Sequence, residues 1–505
     1  MFVVTAKEMY DIDAYTMYDI GYGNLLMENA GRAVSEKVQK QAKKDDQIVV
    51  LVGGGNNGGD GYVIARTLLN QSYNVEVIQV VSDAKLTDAT RFHKNLFTKC
   101  DGHVRMIDQI ANVEDILQTA DIVVDAITGI GVKGKLRAPL ADVVSELNAS
   151  ARFIIAVDIP SGLPADEGID DFIAVKADYT VIIGAPKLSL FLSETAGYYG
   201  TWDVVAIGHP PKAWQQFSSR FVISSDDFRQ TMPKRSLDAH KGDHGSGLVI
   251  GGSDDMPGAL AMTVKAALRT GAGLITAGST KTAIDRVAPQ CQEAMYTTLV
   301  DQNGYLSNAN DLSLDRYDAL VVGVGIGRHR KTKRFVMDIV RKATCPLIID
   351  ADGLYHIQSD LEVIKKRHAP TIITPHPGEM ARLLGITVPE LLAAPFYYAH
   401  MFAEMYQVYV VLKGRYTIVT EPSGKQAVNT TGNPGLAKGG SGDVLAGIML
   451  AMIMQKQSIF QALCNACFLH GMSADLLVAR NHSHYDLIPQ DVIDGIPNVF
   501  RTFSC

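Results

Sequence analysis

A chain of 505 residues exceeds what a single hydrophobic core usually supports, so its length predicts two or three domains. Hydrophobic residues make up 47% and charged residues 20%, and the net charge of −7 argues against a general nucleic-acid or anionic-membrane binder. The N-terminus carries acidic residues and no apolar run, and the longest apolar stretch, residues 445–454, is too short to cross a bilayer. A cytoplasmic protein is therefore expected.

The cysteine pattern indicates free thiols rather than a disulfide framework, because the cysteines are few and scattered. Cys464 and Cys467 form a CxxC pair, but a structural metal site would need a second ligand pair nearby, and the sequence offers none. Their surroundings predict an apolar helix, so two buried thiols are favoured over a metal site. The full set is Cys100, Cys291, Cys345, Cys464, Cys467 and Cys505.

The N-terminal part of the chain predicts an α/β unit. Residues 1–45 predict helices from their apolar three-to-four spacing, and short apolar strands then alternate with helical segments. Such alternation is typical of a parallel, doubly wound sheet. The predicted strands lie within residues 47–53, 74–81, 120–127, 152–160 and 179–186.

A junction is expected where this unit ends, after residues 202–210. Prolines and polar residues occur throughout 211–236, and we place a linker near 215–230. A second α/β unit then begins with a glycine-rich loop, a strand and helices over residues 244–276, and it ends in long helices from residue 439 onward. Its further strands are predicted within residues 319–325, 346–352, 371–376, 408–414 and 416–422.

A glycine-rich loop links the first of these strands to a helix. Gly53, Gly55 and Gly58 match the GxGxxG spacing of nucleotide-binding folds, which alone would suggest a hydride-transfer enzyme. The match is weak evidence, because five of the seven residues from 53 to 59 are glycine. A helix after such a loop offers free N–H groups and the positive end of its dipole to phosphate.

Polar residues crowd the start of that helix. Asn56, Asn57 and Asp60 stand there together, whereas a helix needs only one such residue as its N-cap. Asn57 or Asp60 could be a simple cap. Three polar residues in one place favour a ligand site over that alternative.

Two further strand ends carry acidic residues. Asp125 ends one predicted strand and precedes a second glycine loop, and Asp158 and Ser161 follow another strand. The carboxyl ends of parallel strands meet in one crevice, where ligands bind in such folds. Each acid alone could be a cap, but three converging strand ends favour a binding site.

The motifs NNGGDG, VDAITGIGVKG and VDIPSG identify residues 1–214 as similar to the YjeF N-terminal family, the NAD(P)H-hydrate epimerases, which have a Rossmann-like fold. The resemblance implies a catalytic Asp158 and a potassium ion held by Asn57, Asp125 and Ser161, whose oxygen atoms suit a hard cation. Lys187 is a candidate proton-transfer or phosphate partner, although a surface lysine is the usual interpretation. Substrate contacts are implied for Asn56, Asn57, Gly58, Gly59, Asp60, Gly129, Ile130, Gly131, Val132, Lys133, Gly134, Lys135 and Asp158.

The run NTTGNPGLAKGGSGDVLAGI carries the most specific pattern in the chain. Its small residues let backbone N–H groups face an anion at a helix N-terminus, and Asp443 can take a proton from a hydroxyl that attacks phosphorus. A simple N-cap is the alternative for Asp443, but a cap needs no GGSG run before it. His376 could likewise cap a rigid turn. Lys413 could be a plain strand-end lysine, although the glycine after it and Thr417 favour phosphate contact.

The GxGD arrangement resembles that of ribokinase-like enzymes. The motifs HKGDHGSGLVIGGS, DADGL, TPHPGEMARLLG and VLKGRYT identify residues 225–505 as similar to the YjeF C-terminal family, the ADP-dependent NAD(P)H-hydrate dehydratases. Ser246, Ser441 and the loop VGVGIG depart from the family pattern, but each keeps access to the backbone. The resemblance implies hydrate contacts at Ala259, Gly325, His376 and the catalytic Asp443, and nucleotide contacts at Lys413, Gly414, Arg415, Tyr416, Thr417 and Gly442.

Together the two resemblances imply two three-layer α/β/α domains that repair hydrated NAD(P)H. The first would epimerise the R and S hydrates. The second would dehydrate the S form at the expense of ADP, with Mg²⁺ expected beside ADP, and would release AMP and phosphate. Small molecules are the expected partners, without nucleic acid or membrane, and the chain is expected to form a homo-oligomer.

Other functions are compatible with the same residues. A ribokinase-like metabolite kinase with a non-catalytic N-terminal binding domain is the main alternative, because GxGD chemistry by itself does not specify the acceptor. Phosphate retained on the product would reveal it. A Rossmann oxidoreductase is the weakest alternative, since it depends on the GxGxxG match alone.

Overall fold

The computed structural model describes residues 1–23, 25–107, 113–150, 152–309 and 312–503. The chain divides into two compact units, a first unit of Phe2–Ser219 and a second unit of Arg220–Cys505 together with Met1. Within the described residues, no helix combines the length and the apolarity that crossing a membrane requires.

The first unit contains the strands that the sequence predicts, and three that it does not, of which β1 has only two residues and lies where helices were expected. Short β4 has no periodic pattern, and β8 lies in the segment where the unit was expected to end. The strands are β1 (Phe2–Val3), β2 (Gln47–Val52), β3 (Asn74–Gln79), β4 (Val104–Met106), β5 (Ile122–Ala126), β6 (Phe153–Val157), β7 (Tyr179–Ile183) and β8 (Thr201–Val205). The helices are α1 (Ala6–Ala14), which continues as a π-turn over Tyr15–Asp19, α2 (Leu25–Gln41), α3 (Asn56–Asn70), α4 (Asp88–Lys99), α5 (Val113–Thr119), α6 (Leu140–Ala149) and α7 (Pro211–Phe217).

Seven of these strands form a parallel sheet in the order β4-β3-β2-β5-β6-β7-β8. The chain therefore moves outward from β2 in one direction and from β5 in the other. The point between these two strands is the switch point of a doubly wound sheet, where the loops part and leave a crevice for a ligand. The loop before α3 and the loop after β5 both begin there.

Alternating side chains of this sheet cover two cores, which gives the three layers that the sequence predicts. Val50 and Val52 of β2 pack with residues of α2 and α3, including Ile64. Val49 and Leu51 of the same strand pack on the other face with residues of α5 and α6. A period of two along a strand buried on both faces produces this division.

The second unit begins earlier than expected. Near 215–230 the sequence suggested a linker, and this interpretation is wrong, because strand β9 (Arg220–Val222) and helix α8 (Ser225–Thr231) lie there. Val222 pairs in parallel with Val428 of the sheet, and the Ser224 side chain caps the following helix. Val222 and Phe228 are buried, so two apolar side chains are enough to fix this short polar segment in the unit.

The second unit has a larger, mixed sheet in the order β9-β20-β19-β18-β17-β16-β15-β10-β11-β12. Neighbours from β18 to β12 are parallel, whereas β19 runs antiparallel to both β18 and β20. The strands are β9 (Arg220–Val222), β10 (Ser246–Ile250), β11 (Leu274–Ser279), β12 (Met295–Thr298), β13 (Val300–Gln302), β14 (Tyr305–Asn308), β15 (Ala319–Val322), β16 (Leu347–Ile349), β17 (Thr371–Ile373), β18 (Tyr409–Leu412), β19 (Thr417–Thr420) and β20 (Gln426–Asn429).

Helices cover both faces of this sheet. Val249 and Val321 face a core formed with α9, α17, α18 and α19, and their neighbours Leu248 and Leu320 are equally buried on the opposite face. The helices are α8 (Ser225–Thr231), α9 (Pro257–Thr270), α10 (Lys281–Val287), α11 (Arg330–Lys342), α12 (Asp352–Ile357), α13 (Glu362–Lys365), α14 (Pro377–Leu384), α15 (Val388–Ala393), α16 (Pro395–Tyr406), α17 (Ser441–Ile453), α18 (Ile459–Val478) and α19 (Pro489–Phe503).

The CxxC pair lies where the sequence predicts it. Cys464 and Cys467 are buried and free on α18, within the core that this helix shares with α17 and α19. Burial raises the pKa of the Cys467 thiol to about 12, so both groups behave as small apolar side chains. Cys505 lies outside the described residues.

Candidate active sites

A cavity of about 900 Å³ opens in the first unit at the carboxyl ends of β2, β5 and β6. Its walls come from the loop before α3, from the loop after β5, and from α1 and α2. The predicted residues in these walls are Asn56, Asn57, Asp60, Gly129, Ile130, Gly131, Val132, Lys133, Gly134, Lys135 and Asp158. The structure thus brings most of the predicted epimerase residues to one place.

The glycine-rich loop is packed too tightly for side chains at some of its positions. A Cβ atom on Gly58 would lie 2.1 Å from the carbonyl oxygen of Gly53, and one on Gly59 would lie 2.5 Å from the sulfur of Met27. Gly58 and Gly59 therefore bring the start of α3 against its neighbours and do not line the cavity themselves. The N-cap of α3 is Gly55, and no side chain caps the helix. Neither Asn57 nor Asp60 therefore acts as the helix cap that the sequence left as an alternative.

Three buried residues, Asn57, Asp125 and Ser161, make up the predicted cation cluster, with Asn57 in the cavity wall and Asp125 in contact with Ser161. The Ser161 hydroxyl donates to Asp125 Oδ1 at 2.5 Å, and the Ser161 backbone N–H donates to Asp125 Oδ2 at 2.8 Å. The Asn57 side-chain amide donates to the carbonyl of Val157 at 2.7 Å, whereas Asn57 Oδ1 is buried without a hydrogen-bond partner. Burial raises the pKa of Asp125 to about 6, although the two Ser161 hydrogen bonds lower it.

The composition of this cluster fits a weakly charged cation. Buried oxygen atoms are normally satisfied, so the unpartnered Asn57 Oδ1 is a free ligand position. A single carboxylate with neutral oxygens suits a large monovalent ion better than magnesium, which demands close octahedral geometry.

The loop after β5 contributes backbone and cations to the cavity. A Cβ atom on Gly129 would lie 3.3 Å from the Asn57 side chain, and one on Gly131 would lie 2.9 Å from the hydroxyl of Tyr10. These glycines therefore bring the loop close to α3 and α1. Lys133 and Lys135 are exposed at its rim, where Lys135 forms an ion pair with Asp171 at 2.8 Å.

Asp158 follows β6 in a left-handed backbone conformation, with φ of 69°. Its Oδ1 atom accepts a hydrogen bond from the Ile183 backbone N–H at 2.9 Å and an ion-pairing hydrogen bond from Lys187. The Lys187 side chain is only 1% exposed, so the interpretation as a surface lysine is wrong. Lys187 fixes the Asp158 carboxylate, and the strained backbone is consistent with a functional position.

Two further carboxyl groups share the cavity with Asp158. Burial raises the pKa of Asp60 well above its usual range, the nearby Asp158 and Asp13 raise it further, and Lys187 lowers it. Asp13, on α1, is held by the buried His209 ring at 2.8 Å. The cavity therefore contains a carboxyl group, Asp60, that holds its proton more tightly than a free aspartic acid does.

The second candidate site lies at the N-terminus of α17. Gly440 precedes this helix with φ of 102° and no side-chain cap, so Asp443 stands inside the first turn rather than at the N-cap. The carbonyl of Asp443 accepts a hydrogen bond from the Thr263 hydroxyl of α9 at 3.0 Å. This contact ties the turn that carries Asp443 to the neighbouring helix.

Lys413 approaches the same turn from the end of β18. Its ammonium donates to Asp350 Oδ1 at 3.0 Å, and a Cβ atom on Gly442 would lie 3.5 Å from it. Burial alone would lower the pKa of Lys413, but Asp350, Glu379 and Asp443 raise it, so the ammonium stays charged. Lys413 is therefore a half-buried cation at a helix N-terminus.

Asp443 has the electrostatics of a general base that works near neutral pH. Burial, and then the charges of Asp350 and Asp352, raise its pKa to about 7, whereas Lys413 lowers it. A base with a pKa close to the working pH combines the correct protonation state with sufficient basicity.

The remaining predicted dehydratase residues lie at neighbouring loops. Ala259 and Gly325 are adjacent, since a Cβ atom on Gly325 would lie 2.8 Å from that of Ala259. His376 caps α14, where its Nδ1 atom accepts from the Gly378 backbone N–H at 3.1 Å. His376 therefore does cap the turn, as the alternative interpretation proposed. Its ring is nevertheless 56% exposed and remains available to a ligand. Gly414, Arg415, Tyr416 and Thr417 form the turn into β19.

Comparison with known proteins matches both parts of the chain. The family model for NAD(P)H-hydrate dehydratase matches residues 247–498, and the model for the YjeF-related protein N-terminus matches residues 23–189. A bifunctional NAD(P)H-hydrate repair enzyme Nnr from Moorella thermoacetica is 35% identical, and the alignment covers 100% of this chain and 97% of the relative. This chain belongs to that family. The Escherichia coli relative of the same name is 31% identical, with 94% of this chain and 88% of the relative covered.

Solved structures extend the family comparison to the fold. An ADP/ATP-dependent NAD(P)H-hydrate dehydratase from Bacillus subtilis, co-crystallized with ATP/Mg²⁺, is 36% identical with a TM-score of 0.51, covering 56% of this chain and 98% of that chain. A ribokinase-like superfamily protein from Enterococcus faecalis, 22% identical with a TM-score of 0.50, is similar in fold alone. The predicted α/β class and the ribokinase-like fold of the second unit are confirmed. Family membership also favours the repair enzyme over the kinase and oxidoreductase alternatives.

Sequence reasoning missed several residues that face these sites. Asp13 and Tyr10 lie on α1, where a helical pattern gave no reason to select them, and His209 follows the last strand of the first unit. Asp350 and Thr374 were not selected as site residues, although both follow short predicted strands. The position of Asp350 after β16, like that of Asp125 at the end of β5, was the available signal.

Proposed function

We propose that residues 1–214 epimerise NAD(P)H hydrate and that residues 225–505 dehydrate its S form with ADP. The observation that carries the proposal is the Asp443 carboxyl group, with a pKa of about 7, at a helix N-terminus beside the half-buried Lys413 ammonium. A base, a cation and free helical N–H groups in one place suit transfer of a phosphoryl group from an anionic donor.

In the dehydratase step, Asp443 takes the proton of the hydrate hydroxyl. The hydroxyl oxygen attacks the terminal phosphorus of ADP, and the bond from that phosphorus to the bridging oxygen breaks, so AMP leaves. The nicotinamide ring now carries a phosphate in place of the hydroxyl. Loss of this phosphate with its bonding electrons, and of a proton from the adjacent ring carbon, restores NAD(P)H.

The nucleotide contacts of this proposal are Lys413, Gly414, Arg415, Tyr416, Thr417 and Gly442. Lys413 and the N-terminus of α17 supply positive charge for the phosphates. Gly442 has no side chain, so the Lys413 ammonium can lie close to the backbone of this turn. Ala259, Gly325 and His376 would contact the hydrate. Mg²⁺ would arrive with ADP, because the described part of the chain has no group of three or more His, Cys, Asp and Glu side chains placed to bind a metal ion.

In the epimerase step, Asp60 acts as the proton donor and Asp158 as the proton acceptor. The protonated Asp60 donates a proton to the hydroxyl on C6, which leaves as water while the ring nitrogen lone pair forms a C=N bond. Water then adds to the other face of C6, the C=N electrons return to nitrogen, and Asp158 accepts the proton, which exchange with solvent returns to Asp60. Lys187 fixes the position of the Asp158 carboxylate through their ion pair.

Potassium belongs to this proposal at Asn57, Asp125 and Ser161. When bound, it would neutralise the Asp125 carboxylate near the pyrophosphate of the substrate. The unpartnered Asn57 Oδ1 atom supports this assignment. The loop over Gly129–Lys135 and the start of α3 would then contact the pyrophosphate through backbone N–H groups and the rim lysines.

We place the enzyme in the cytoplasm as a homo-oligomer. The free state of Cys100, Cys291, Cys345, Cys464 and Cys467 supports a reducing compartment. Size-exclusion chromatography with light scattering would give the number of subunits.

The test of the proposed function uses the pure protein with a mixture of NADH-hydrate epimers and ADP. Recovery of NADH absorbance from both epimers, with AMP and phosphate separated by chromatography, is the expected result. A phosphorylated hydrate that accumulates without NADH would instead indicate the metabolite kinase.

A further inference from the structure

Three adjacent strands of the second unit end at one buried ion pair. β16, β17 and β18 are neighbours in parallel register, so their carboxyl ends lie side by side. Asp350 follows the first of these strands, Thr374 the second and Lys413 the third. The backbone N–H of Lys413 donates to the Pro375 carbonyl at 2.9 Å, which ties the end of β18 to the loop after β17.

The Asp350 carboxylate accepts a hydrogen bond from a hydroxyl group in addition to its ion pair. Its side chain is 2% exposed, and Oδ1 accepts from the Thr374 hydroxyl at 2.6 Å and from the Lys413 ammonium at 3.0 Å. A buried ion pair seldom stabilises a protein more than an apolar pair of the same size, because both charges lose their hydration. A structural role alone therefore explains this arrangement poorly.

The ion pair of Asp350 and Lys413 lies next to the turn that carries Asp443. Lys413 Nζ would be 3.5 Å from a Cβ atom on Gly442, the residue immediately before Asp443. The negative charge of Asp350 also acts on Asp443, as does the positive charge of Lys413 in the opposite direction. The same carboxylate thus acts on both Lys413, the proposed phosphate contact, and Asp443, the proposed base.

We propose that Asp350 is a positioning residue of the dehydratase site: fixed by Thr374, its carboxylate holds the Lys413 ammonium at the N-terminus of α17 beside Asp443. This inference rests on the proposed function, because it assigns the nucleotide to Lys413 and proton transfer to Asp443. The groups that face Asp443 electrostatically are Asp350, Asp352 and Lys413, and Glu379 faces Lys413.

Asp350→Asn and Asp350→Ala separate the charge of this residue from its hold on Lys413. Asparagine keeps an oxygen acceptor but loses the charge, so the acid limb of kcat/KM moves to lower pH by roughly one pH unit, because the pKa of Asp443 falls. Alanine also loses the acceptor, so KM for ADP rises about tenfold or more. Asp360→Asn, which removes a solvent-exposed carboxylate of the same unit, is the matched control and leaves both quantities unchanged.

Thr374→Val gives a second measurement that does not depend on the folding of the alanine variant. It keeps the Asp350 charge and removes the hydroxyl that fixes it, so KM for ADP rises while the acid limb stays in place. An unshifted limb in Asp350→Asn, or an unchanged KM for ADP in both Asp350→Ala and Thr374→Val, overturns the inference. A wild-type protein that fails to convert the hydrate with ADP overturns the proposed function instead.

Discussion

At the scale of single residues, the dehydratase account depends most on the carboxyl group of Asp443. Asp443→Asn should lower ADP-dependent dehydration by roughly 100-fold or more, because an amide cannot accept the hydroxyl proton. Epimerisation should continue, because the predicted epimerase residues all lie in the first unit. Initial rates of NADH formation and of epimer interconversion, measured on the same preparation, check both statements. Dehydration within a few-fold of the wild type would remove Asp443 from the mechanism.

The same substitution has a predictable effect on stability. The folded protein raises the pKa of Asp443 from 3.8 to about 7, so ionising this group disfavours folding. The penalty is absent below about pH 4, where the group is protonated in both states, and it grows until pH passes 7. Asp443→Asn should therefore raise the unfolding temperature of the second unit at pH 8 and leave it unchanged at pH 4. Calorimetry at the two pH values tests this, and an equal change at both would contradict it.

Asp125 allows the corresponding test in the first unit. Asp125→Ala should weaken epimerisation, because the cluster loses the only charged oxygen atoms available to a potassium ion. Replacing potassium by a bulky organic cation should have the same effect on the wild type and none on the variant. Interconversion is followed by chromatography of the epimers, with Asp11→Ala, an exposed carboxylate paired with Lys7, as the control. Unchanged rates under both treatments would leave Asp125 with a purely structural role.

At the scale of elements, the loop between β2 and α3 limits what the first site tolerates. Gly58→Ala should lower the unfolding temperature of the first unit and abolish epimerisation, because the new Cβ would lie 2.1 Å from a backbone oxygen. Gly55→Ala is the matched control, since nothing lies within 4 Å of its Cβ position and its φ of −85° suits any residue. Equal unfolding temperatures for the two variants would contradict this account of the loop.

The same elements show which features a sequence can predict. The central strands were predictable because they are apolar runs beside glycine-rich loops, and the parallel, doubly wound sheet followed from their alternation with helices. Asp125, Asp158 and Asp443 were detectable because they stand at strand ends or a helix start beside recognisable motifs. Residues whose role depends on partners distant in the sequence were not detectable. Asp13 is held by the ring of His209, and the sequence around each residue contains no motif that would have selected it.

The prediction of short elements was wrong for a related reason. β9 and α8 were interpreted as a linker because three to seven residues carry too little periodicity, and burial of Val222 and Phe228 decided their structure. A surface position, the usual place for a lysine, was the alternative considered for Lys187, but its ion pair with Asp158 permits its burial.

At the scale of the whole molecule, the two reactions share a substrate but no residues. All predicted epimerase residues belong to Phe2–Ser219, and all predicted dehydratase residues belong to the second unit. Released hydrate can therefore pass through solution from one site to the other, even between different molecules. A chain with one inactive unit should be complemented by a chain in which the other unit is inactive.

The most direct test of two independent sites is this complementation, measured as recovery of NADH from mixed hydrate epimers with excess ADP. Asp158→Asn alone should rapidly recover only the S share, and Asp443→Asn alone should recover almost none. An equimolar mixture of the two variants should rapidly recover both epimers, with one AMP for each NADH formed. If the mixture recovers no more than Asp158→Asn alone, the two reactions are not carried by separate sites and the account is wrong.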